Sequence, residues 1–149
     1  MPPLVQAARN EDAEQIRLLM RRVIASSVDA SLQREIIANV EANLAAWLNH
    51  SIECVHLVAL VDESIVGVVL VKDFWNLCSL FVEPHHQGHG VGRSLVETAA
   101  VACASRKPSK PLALNAYPSA IVFYERLGFV RRSSAQNLPS GIQAMERAF

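Results

Sequence analysis

Residues 77–95 read LCSLFVEPHHQGHGVGRSL, and this stretch decides how the rest of the chain is interpreted. It begins with an apolar run typical of a strand, continues through Gly88, Gly90 and Gly92, and ends in residues typical of a helix. Glycine adopts backbone angles closed to residues with a Cβ and lets the chain approach a ligand closely. A helix that begins near Gly92 also has unpaired N–H groups and a positive dipole end. The stretch therefore predicts an anion site that suits a phosphate.

The spacing of the glycines discriminates among phosphate-binding turns. A P-loop requires Lys and then Ser or Thr after its last glycine, whereas Arg93 and Ser94 follow Gly92, so a P-loop is excluded. A dinucleotide-binding turn requires Gly-x-Gly-x-x-Gly and an acidic residue about 20 positions later. Here the turn is Gly-x-Gly-x-Gly, and the next predicted strand carries Asn115 near its end. A dinucleotide-binding domain is therefore a weak alternative.

Two segments together resemble the GNAT superfamily of acyl-CoA-dependent N-acetyltransferases. The family's pyrophosphate loop, Gln/Arg-x-x-Gly-x-Gly/Ala, is met by Gln87, Gly90 and Gly92, and the strand and Val-Glu-Pro before it match as well. Residues 120–129 resemble the second family signature, a short helix that carries Tyr124 and closes in Leu-Gly-Phe. The resemblance extends over essentially the whole chain, although these two signatures are its specific part.

The resemblance implies one domain, residues 1–149, of the α/β (α+β) class. The expected architecture is a mixed, mostly antiparallel sheet of about six to seven strands, with helices on both faces and a V-shaped opening between the two central strands. Apolar runs with short polar gaps independently predict an antiparallel meander over residues 54–61, 65–71 and 74–82. Apolar residues at helical spacing predict two helices before the meander, the first capped by Asn10. The other predicted elements are a helix over about 92–105, a strand over 112–116, and strands over 129–134 and 142–147 joined by a loop at 137–141.

Acetyl-CoA is the cosubstrate that the resemblance implies, without a metal. Family members hold the pantetheine arm in the V and the pyrophosphate on the amides of the glycine loop. Carried onto this sequence, the expected cofactor-binding residues are Leu80, Phe81, Val82, Gln87, Gly88, His89, Gly90, Val91, Gly92, Arg93, Asn115 and Tyr124.

Two proton transfers need residues in the reaction that the resemblance implies. Tyr124 is the candidate acid for the departing thiolate, since its phenol is protonated at neutral pH. A purely structural role, as a core aromatic, is the alternative for this residue. Glu83 is the first candidate for removing the proton from the amine. The sequence does not separate it from a water molecule, from His85 and His86 near the loop, or from Glu53 and His56 at the head of another predicted strand.

The expected function is transfer of the acetyl group to a primary amine of a small molecule or peptide, by direct attack in a ternary complex. The alternative is a binding or sensory domain that holds acyl-CoA without turnover. Many family members carry Asn where Tyr117 stands here, which leaves the acceptor open. The histidines near the loop have no Cys, Asp or Glu at ligand spacing, so no metal site is predicted.

The composition of the chain limits the partners that the protein can bind and indicates where in the cell it is found. Fourteen basic and fourteen acidic residues give a formal charge of zero, which provides no basic field for nucleic acid or an anionic membrane. The opening residues lack the regions of a secretory signal, and no apolar run approaches the length of a membrane span. Three widely spaced cysteines, Cys54, Cys78 and Cys103, indicate reduced thiols. We expect a cytoplasmic monomer or homodimer.

Overall fold

The computed structural model describes residues 3–134, 138–139 and 141–149, which form one seven-stranded sheet and four α-helices. The strands are β1 (Leu4–Ala7), β2 (Cys54–Val61), β3 (Ser64–Lys72), β4 (Asn76–Val82), β5 (Leu112–Ala116), β6 (Val130–Arg131) and β7 (Gln143–Arg147). The helices are α1 (Ala13–Ser27), α2 (Ala30–Leu48), α3 (Val91–Ala104) and α4 (Ile121–Arg126). The sheet order is β1-β2-β3-β4-β5-β7-β6, and β4 with β5 is the parallel pair in this otherwise antiparallel sheet. The predicted mixed sheet is therefore confirmed.

Helices cover both faces of the sheet, as expected. Side chains alternate along a strand, so Val58 packs with the α1 and α2 side of the core while its neighbour Leu57 packs with the α3 side. In β3, Val68 and Val69 divide between the two faces in the same way. This double burial explains why the strands read as continuous apolar runs instead of alternating ones.

Among the described residues, no helix has the length and apolar character needed to cross a membrane.

The first helix begins differently from the prediction. Asn10 is not its cap: the chain first makes a 3₁₀ turn over Asn10–Asp12, and α1 follows from Ala13. The buried Asp12 carboxylate accepts a hydrogen bond from the Arg9 backbone N–H at 2.8 Å, and this contact closes the turn. The cap of α2 is conventional, because the Asp29 side chain accepts from the backbone N–H of Ser31 at 3.1 Å.

Two predicted strands are shorter in the structure. β4 does not begin at Phe74, because Asp73 and Phe74 have φ of 55° and 64° and form the tight turn after β3. The strand predicted over 129–134 is reduced to Val130–Arg131, since the N–H of Phe129 donates to the carbonyl of Tyr124 at 3.1 Å and closes α4. Of the loop predicted over 137–141, Asn137 and Ser140 lie outside the described residues.

The V-shaped opening lies between the carboxyl ends of β4 and β5. In the described sheet these strands pair at one position, Asn76 with Ala113, next to a hydrogen bond from the N–H of Ala113 to the carbonyl of Trp75 at 2.8 Å. Beyond this point β4 continues to pair with β3, while β5 pairs with β7. One edge of each strand therefore faces the opening.

Leu95 of α3 provides a test of this core. Its side chain is fully buried against the sheet, and we expect Leu95→Ala to lower the free energy of unfolding by about 2–5 kcal/mol, through lost burial and the remaining cavity. Val101 on the same helix is 73% exposed, so Val101→Ala is the matched control, with an expected change of about 0.5 kcal/mol or less. Urea unfolding of both variants measures the difference. Equal effects of the two changes would contradict the placement of α3.

Candidate active site

The glycine loop ends in an exposed helix N-terminus. Gly88 and Gly90 have φ of 80° and 83°, in the left-handed region that residues with a Cβ rarely adopt. A Cβ built on either glycine meets no described atom within 4 Å, so the loop borders open space. Within the described residues no side chain caps α3, whose first helical hydrogen bond runs from the N–H of Ser94 to the carbonyl of Gly90 at 3.0 Å. The preceding N–H groups are thus available to an anion.

The side chains of the loop divide into those that face solvent and those that support the turn. Arg93 is exposed and makes no ion pair with any of the described residues, so its guanidinium is available to a phosphate. His89 is also exposed. Val91, by contrast, is buried in the core, and its backbone N–H is what it can offer a ligand. Gln87 donates from its side-chain amide to the carbonyl of Val82 at 3.0 Å, which fastens the loop to the end of β4.

Gly92 has a packing role that the sequence did not reveal. A Cβ at this position would lie 3.0 Å from Cζ of Phe123, so α4 packs directly on the first turn of α3. This contact brings the helix that carries Tyr124 against the glycine loop. The two segments that resemble the family signatures therefore meet in space.

The end of β4 presents its backbone to the opening. The N–H of Glu83 donates to the carbonyl of Val66 at 2.8 Å, which shows that Glu83 directs its backbone groups towards β3. Backbone groups alternate in direction along an antiparallel ladder, so those of Leu80 and Val82 point the other way, into the V. The side chain of Phe81 lies on the α1 and α2 face, and those of Leu80 and Val82 lie on the α3 face.

Tyr124 is buried beside this opening, on the same face as α3. Tyr124 is 8% exposed. Its ring makes edge contacts with Phe123 and Phe129 at centroid distances of 5.1 and 5.5 Å. Burial raises the pKa of the phenol far above its ordinary value, so Tyr124 keeps its proton at neutral pH. No hydrogen bond joins its hydroxyl to another group in the part of the chain that is described. The hydroxyl can therefore donate to a ligand.

The structure does not bring Asn115 next to Tyr124. Asn115 is exposed, and it alternates along β5 with Leu114 and Ala116, which belong to the core on the α3 side. Its side chain therefore points to the opposite face of the sheet from Tyr124.

Glu83 is held by a residue that sequence reasoning missed. The Arg22 guanidinium of α1 lies 2.7 Å from Oε2 of Glu83, whose side chain is 20% exposed. This ion pair fastens α1 to the junction between β4 and the glycine loop. Nothing in the sequence marks it, because the two residues are 61 positions apart.

The other candidate bases lie at different distances from the opening. His85 is exposed and His86 half-buried, in the short turn after β4. Glu53 is exposed, and its carbonyl accepts from the N–H of Asp73 at 2.8 Å, at the end of the sheet away from the V. His56 lies near the start of β2, as predicted, but its side chain is buried.

The three thiols are chemically quiet. Cys103 is buried, and burial raises its pKa to about 11. Burial also raises the pKa values of Cys54 and Cys78, both of which are half-buried. Because the thiolate is the reactive form, these cysteines are poor nucleophiles at neutral pH. Within residues 3–134, 138–139 and 141–149, no group of three or more His, Cys, Asp or Glu side chains is placed to hold a metal ion.

Comparison with known proteins agrees with this geometry. No curated protein matches the chain by sequence. Solved structures with the same fold include the PaiA N-acetyltransferase of Thermoplasma acidophilum in complex with coenzyme A, with a TM-score of 0.78, 17% identity and full coverage of both chains. A GCN5-related N-acetyltransferase from Rhodopseudomonas palustris has a TM-score of 0.77 and 21% identity, over 100% of this chain and 97% of that one. A phosphinothricin acetyltransferase from Sinorhizobium meliloti in complex with acetyl-CoA has a TM-score of 0.70 and 17% identity, over 99% and 88% of the two chains.

These structural similarities show the shared fold, and a family model identifies the sequence. The model described as the acetyltransferase (GNAT) domain matches residues 29–146, which is most of the chain. The match includes the glycine loop, α3, β5 and the helix that carries Tyr124. The chain belongs to the GNAT acetyltransferase family.

Proposed function

We propose that this protein is an acetyl-CoA-dependent N-acetyltransferase that transfers the acetyl group to a primary amine of a small molecule or peptide. The observation that carries the proposal is the opening between β4 and β5, which leads to the uncapped N-terminus of α3. A long ligand with an anionic end and an amide-containing arm fits such a site. Backbone groups line the V, and the free N–H groups of the α3 N-terminus lie at its end. The complexes of the Thermoplasma enzyme with coenzyme A and of the Sinorhizobium enzyme with acetyl-CoA support this assignment.

Each part of the site has a proposed task in binding. The backbone of Leu80 and Val82 binds the pantetheine arm, with Phe81 between them. The amides of the loop hold the pyrophosphate, Arg93 adds a cation, and Gln87 acts by supporting the loop. The residues assigned to the phosphate site, with Gln87 as the support of the loop, are Gln87, Gly88, His89, Gly90, Val91, Gly92 and Arg93. Asn115 is proposed to contact the ligand from the face of β5 opposite Leu114 and Ala116, away from Tyr124.

Acetyl transfer then depends on alignment of the amine with the thioester and needs no nucleophilic side chain of the protein. The amine attacks the thioester carbon directly, and the fixed geometry of two bound reactants supplies much of the acceleration. A backbone N–H in the 80–82 segment donates to the oxygen that becomes negative. Tyr124 donates a hydrogen bond to the departing thiolate. Because the pKa of this phenol is raised, Tyr124 stabilises the leaving group chiefly as a donor that never loses its proton at neutral pH.

Glu83 is the first candidate from the sequence for accepting the proton of an acceptor ammonium at the mouth of the site. Its ion pair with Arg22 has to open, or a water molecule has to mediate, before the carboxylate can take that proton.

We propose a cytoplasmic protein, as a monomer or homodimer, with neither nucleic acid nor a membrane as partner. The zero formal charge supports this choice of partners.

Cofactor binding is tested by thermal unfolding and calorimetry with acetyl-CoA. A ligand at about 100 times its dissociation constant stabilises the folded state by about 2.7 kcal/mol, which raises Tm by about 5–11 °C for a chain of this size. NAD is the matched control, because it carries an adenosine and a pyrophosphate but no pantetheine arm. The absence of coenzyme A binding at millimolar concentration would refute the proposal. Binding of NAD without coenzyme A would restore the dinucleotide alternative.

A further inference from the structure

A small polar cavity lies between the sheet and helices α1 and α2. His56 pairs with Leu70, and Leu70 pairs with Ser79, so these three residues form a row across β2, β3 and β4 with their side chains on one face. Asn43 of α2 reaches the same cavity. The remaining lining residues are apolar, namely Met20, Val40, Leu44, Val68 and Leu70.

His56 is the residue whose burial requires an explanation. It is 8% exposed, and within the described residues its Nδ1 atom is enclosed without a hydrogen-bond partner. A buried nitrogen without a partner destabilises the folded state unless another group or a water molecule satisfies it. Trp47 packs against the imidazole edge-on, with the ring centroids 4.3 Å apart, and donates no hydrogen bond to Nδ1. Burial lowers the pKa of His56 to about 4, against the opposing field of Asp12, so the imidazole is neutral at neutral pH.

The dimensions of the cavity suit a single water molecule. The space open to the centre of a water-sized sphere is about 10 Å³, close to the minimum for one water. The side chains of Asn43 and Ser79, like Nδ1 of His56, have no hydrogen-bond partner among the described residues. One water therefore has three polar neighbours, within the range of two to four hydrogen bonds that buried waters make.

The position of Ser79 connects this cavity to the candidate active site. β4 separates from β5 after Asn76, and Ser79 comes later in the same strand. Ser79 therefore lies where the opening begins. Its side chain faces α1 and α2, whereas Tyr124 and the glycine-loop helix lie on the other face. A ligand anchored at α3 leaves the α1 and α2 side free for a second reactant.

We propose that His56, Ser79 and Asn43 hold one buried water molecule, and that Ser79, this water and His56, in preference to Glu83 with its Arg22 ion pair, carry away the proton that the acceptor amine loses. The second part rests on the proposed acetyltransferase function. The proton leaves the ammonium nitrogen, passes through the Ser79 hydroxyl and the water, and binds the lone pair of Nδ1 of His56. The proton on Nε2 departs to solvent. The amine nitrogen keeps its electron pair and uses it to attack the acyl carbon.

The low basicity of His56 suits a residue that passes a proton on better than one that keeps it. A neutral imidazole accepts at one nitrogen while it releases from the other, so a long-lived imidazolium is not required. The lining residues from α1, α2, β3 and β4 carry no ionisable side chain, and Asp12 is the charged group whose field acts on the ring. A pH effect at this site therefore reflects the amine and His56.

The test compares His56→Gln and Ser79→Ala with the wild type, and His50→Gln is the matched control on the exposed surface. Thiol release with saturating acetyl-CoA gives kcat/KM for the amine from about pH 6 to about pH 10. Each relay variant is expected to lose about 10²-fold at neutral pH, with acetyl-CoA affinity unchanged. The loss should shrink as the pH rises, because more of the amine then arrives without the proton. A purely structural role does not produce that convergence.

Three results would overturn the proposal. These are wild-type kcat/KM in both relay variants, a loss that stays constant across the pH range, and a crystal structure in which the cavity holds no water beside Nδ1. If His56→Gln fails to fold, Ser79→Ala decides the question, since it removes one hydroxyl from the cavity. A wild type that binds acetyl-CoA but acetylates no amine refutes the proposed function and the relay together, whereas the water remains visible in the crystal structure. The two failures are therefore distinguishable.

Discussion

Gly90→Glu is expected to reduce the affinity for acetyl-CoA by about 10³-fold or more. Gly90 precedes the first residue of α3, at φ 83°, and its missing Cβ faces open space where the pyrophosphate is proposed to lie. Two like charges about 4 Å apart repel by about 4 kcal/mol at the effective dielectric constant near a protein surface, and each 1.4 kcal/mol is about tenfold in affinity. The side chain also occupies the ligand's space. Calorimetric titration of the variant measures the loss.

Gly90→Lys is the matched control for this experiment. It introduces a side chain of similar size with the same backbone strain, about 1–2 kcal/mol for a left-handed residue with a Cβ, but with the opposite charge. We expect Gly90→Lys to bind acetyl-CoA more tightly than Gly90→Glu, while both variants unfold at similar, slightly lowered temperatures. Unchanged affinity in Gly90→Glu would move the phosphate site away from the loop. Equal losses in both variants would leave crowding alone as the cause.

Tyr124→Phe is expected to lower kcat by about 10²-fold, with little change in the affinity for acetyl-CoA. The substitution keeps the ring and its contacts with Phe123 and Phe129, and removes the hydroxyl. The expectation lies at the lower end of the usual range because a thiolate is a fairly good leaving group. The raised pKa of Tyr124 leads to the same expectation, since the phenol assists as a hydrogen-bond donor that keeps its proton. Rapid-quench measurement of a single turnover isolates the chemical step.

Tyr117→Phe is the control for this substitution. It removes the same atom from the other tyrosine, whose partly buried ring packs with the α1 and α2 side of the core. We expect kcat to stay within about threefold of the wild type. A wild-type chemical step in Tyr124→Phe would make Tyr124 a packing residue and leave the thiolate to a water molecule or to His85 or His86.

The sequence predicted the sheet and the loop because both depend on local patterns. Runs of Val, Leu and Ile separated by polar turns specify a meander, and Asp62 with Glu63 and Asp73 with Phe74 do adopt the positive φ values of tight hairpin turns. The glycine loop was recognisable because left-handed backbone angles demand glycine at fixed positions. Boundaries were less predictable where a distant contact ends an element. Phe129, for example, closes α4 instead of opening a strand.

The acceptor side of the site was much less predictable. Arg22 reaches Glu83 through the packing of α1 on the sheet, and no periodicity or spacing signals such a pair. The burial of His56 was not predicted, because one polar residue in an apolar run does not reveal which helix covers it. Asn43 and Ser79 lie beside it through strand register and helix packing, both of which emerge only in the folded chain.

Release of free thiol from acetyl-CoA, measured with and without a panel of primary amines, tests the central claim most directly. The panel should include small amines and peptides with a free amino group, and mass spectrometry should follow the acetylated product. We predict thiol release that depends on at least one amine, saturates with it and matches the amount of acetylated amine formed. Binding of acetyl-CoA with thiol release no faster than uncatalysed hydrolysis, whichever amine is present, would contradict the account and make the protein an acyl-CoA-binding domain.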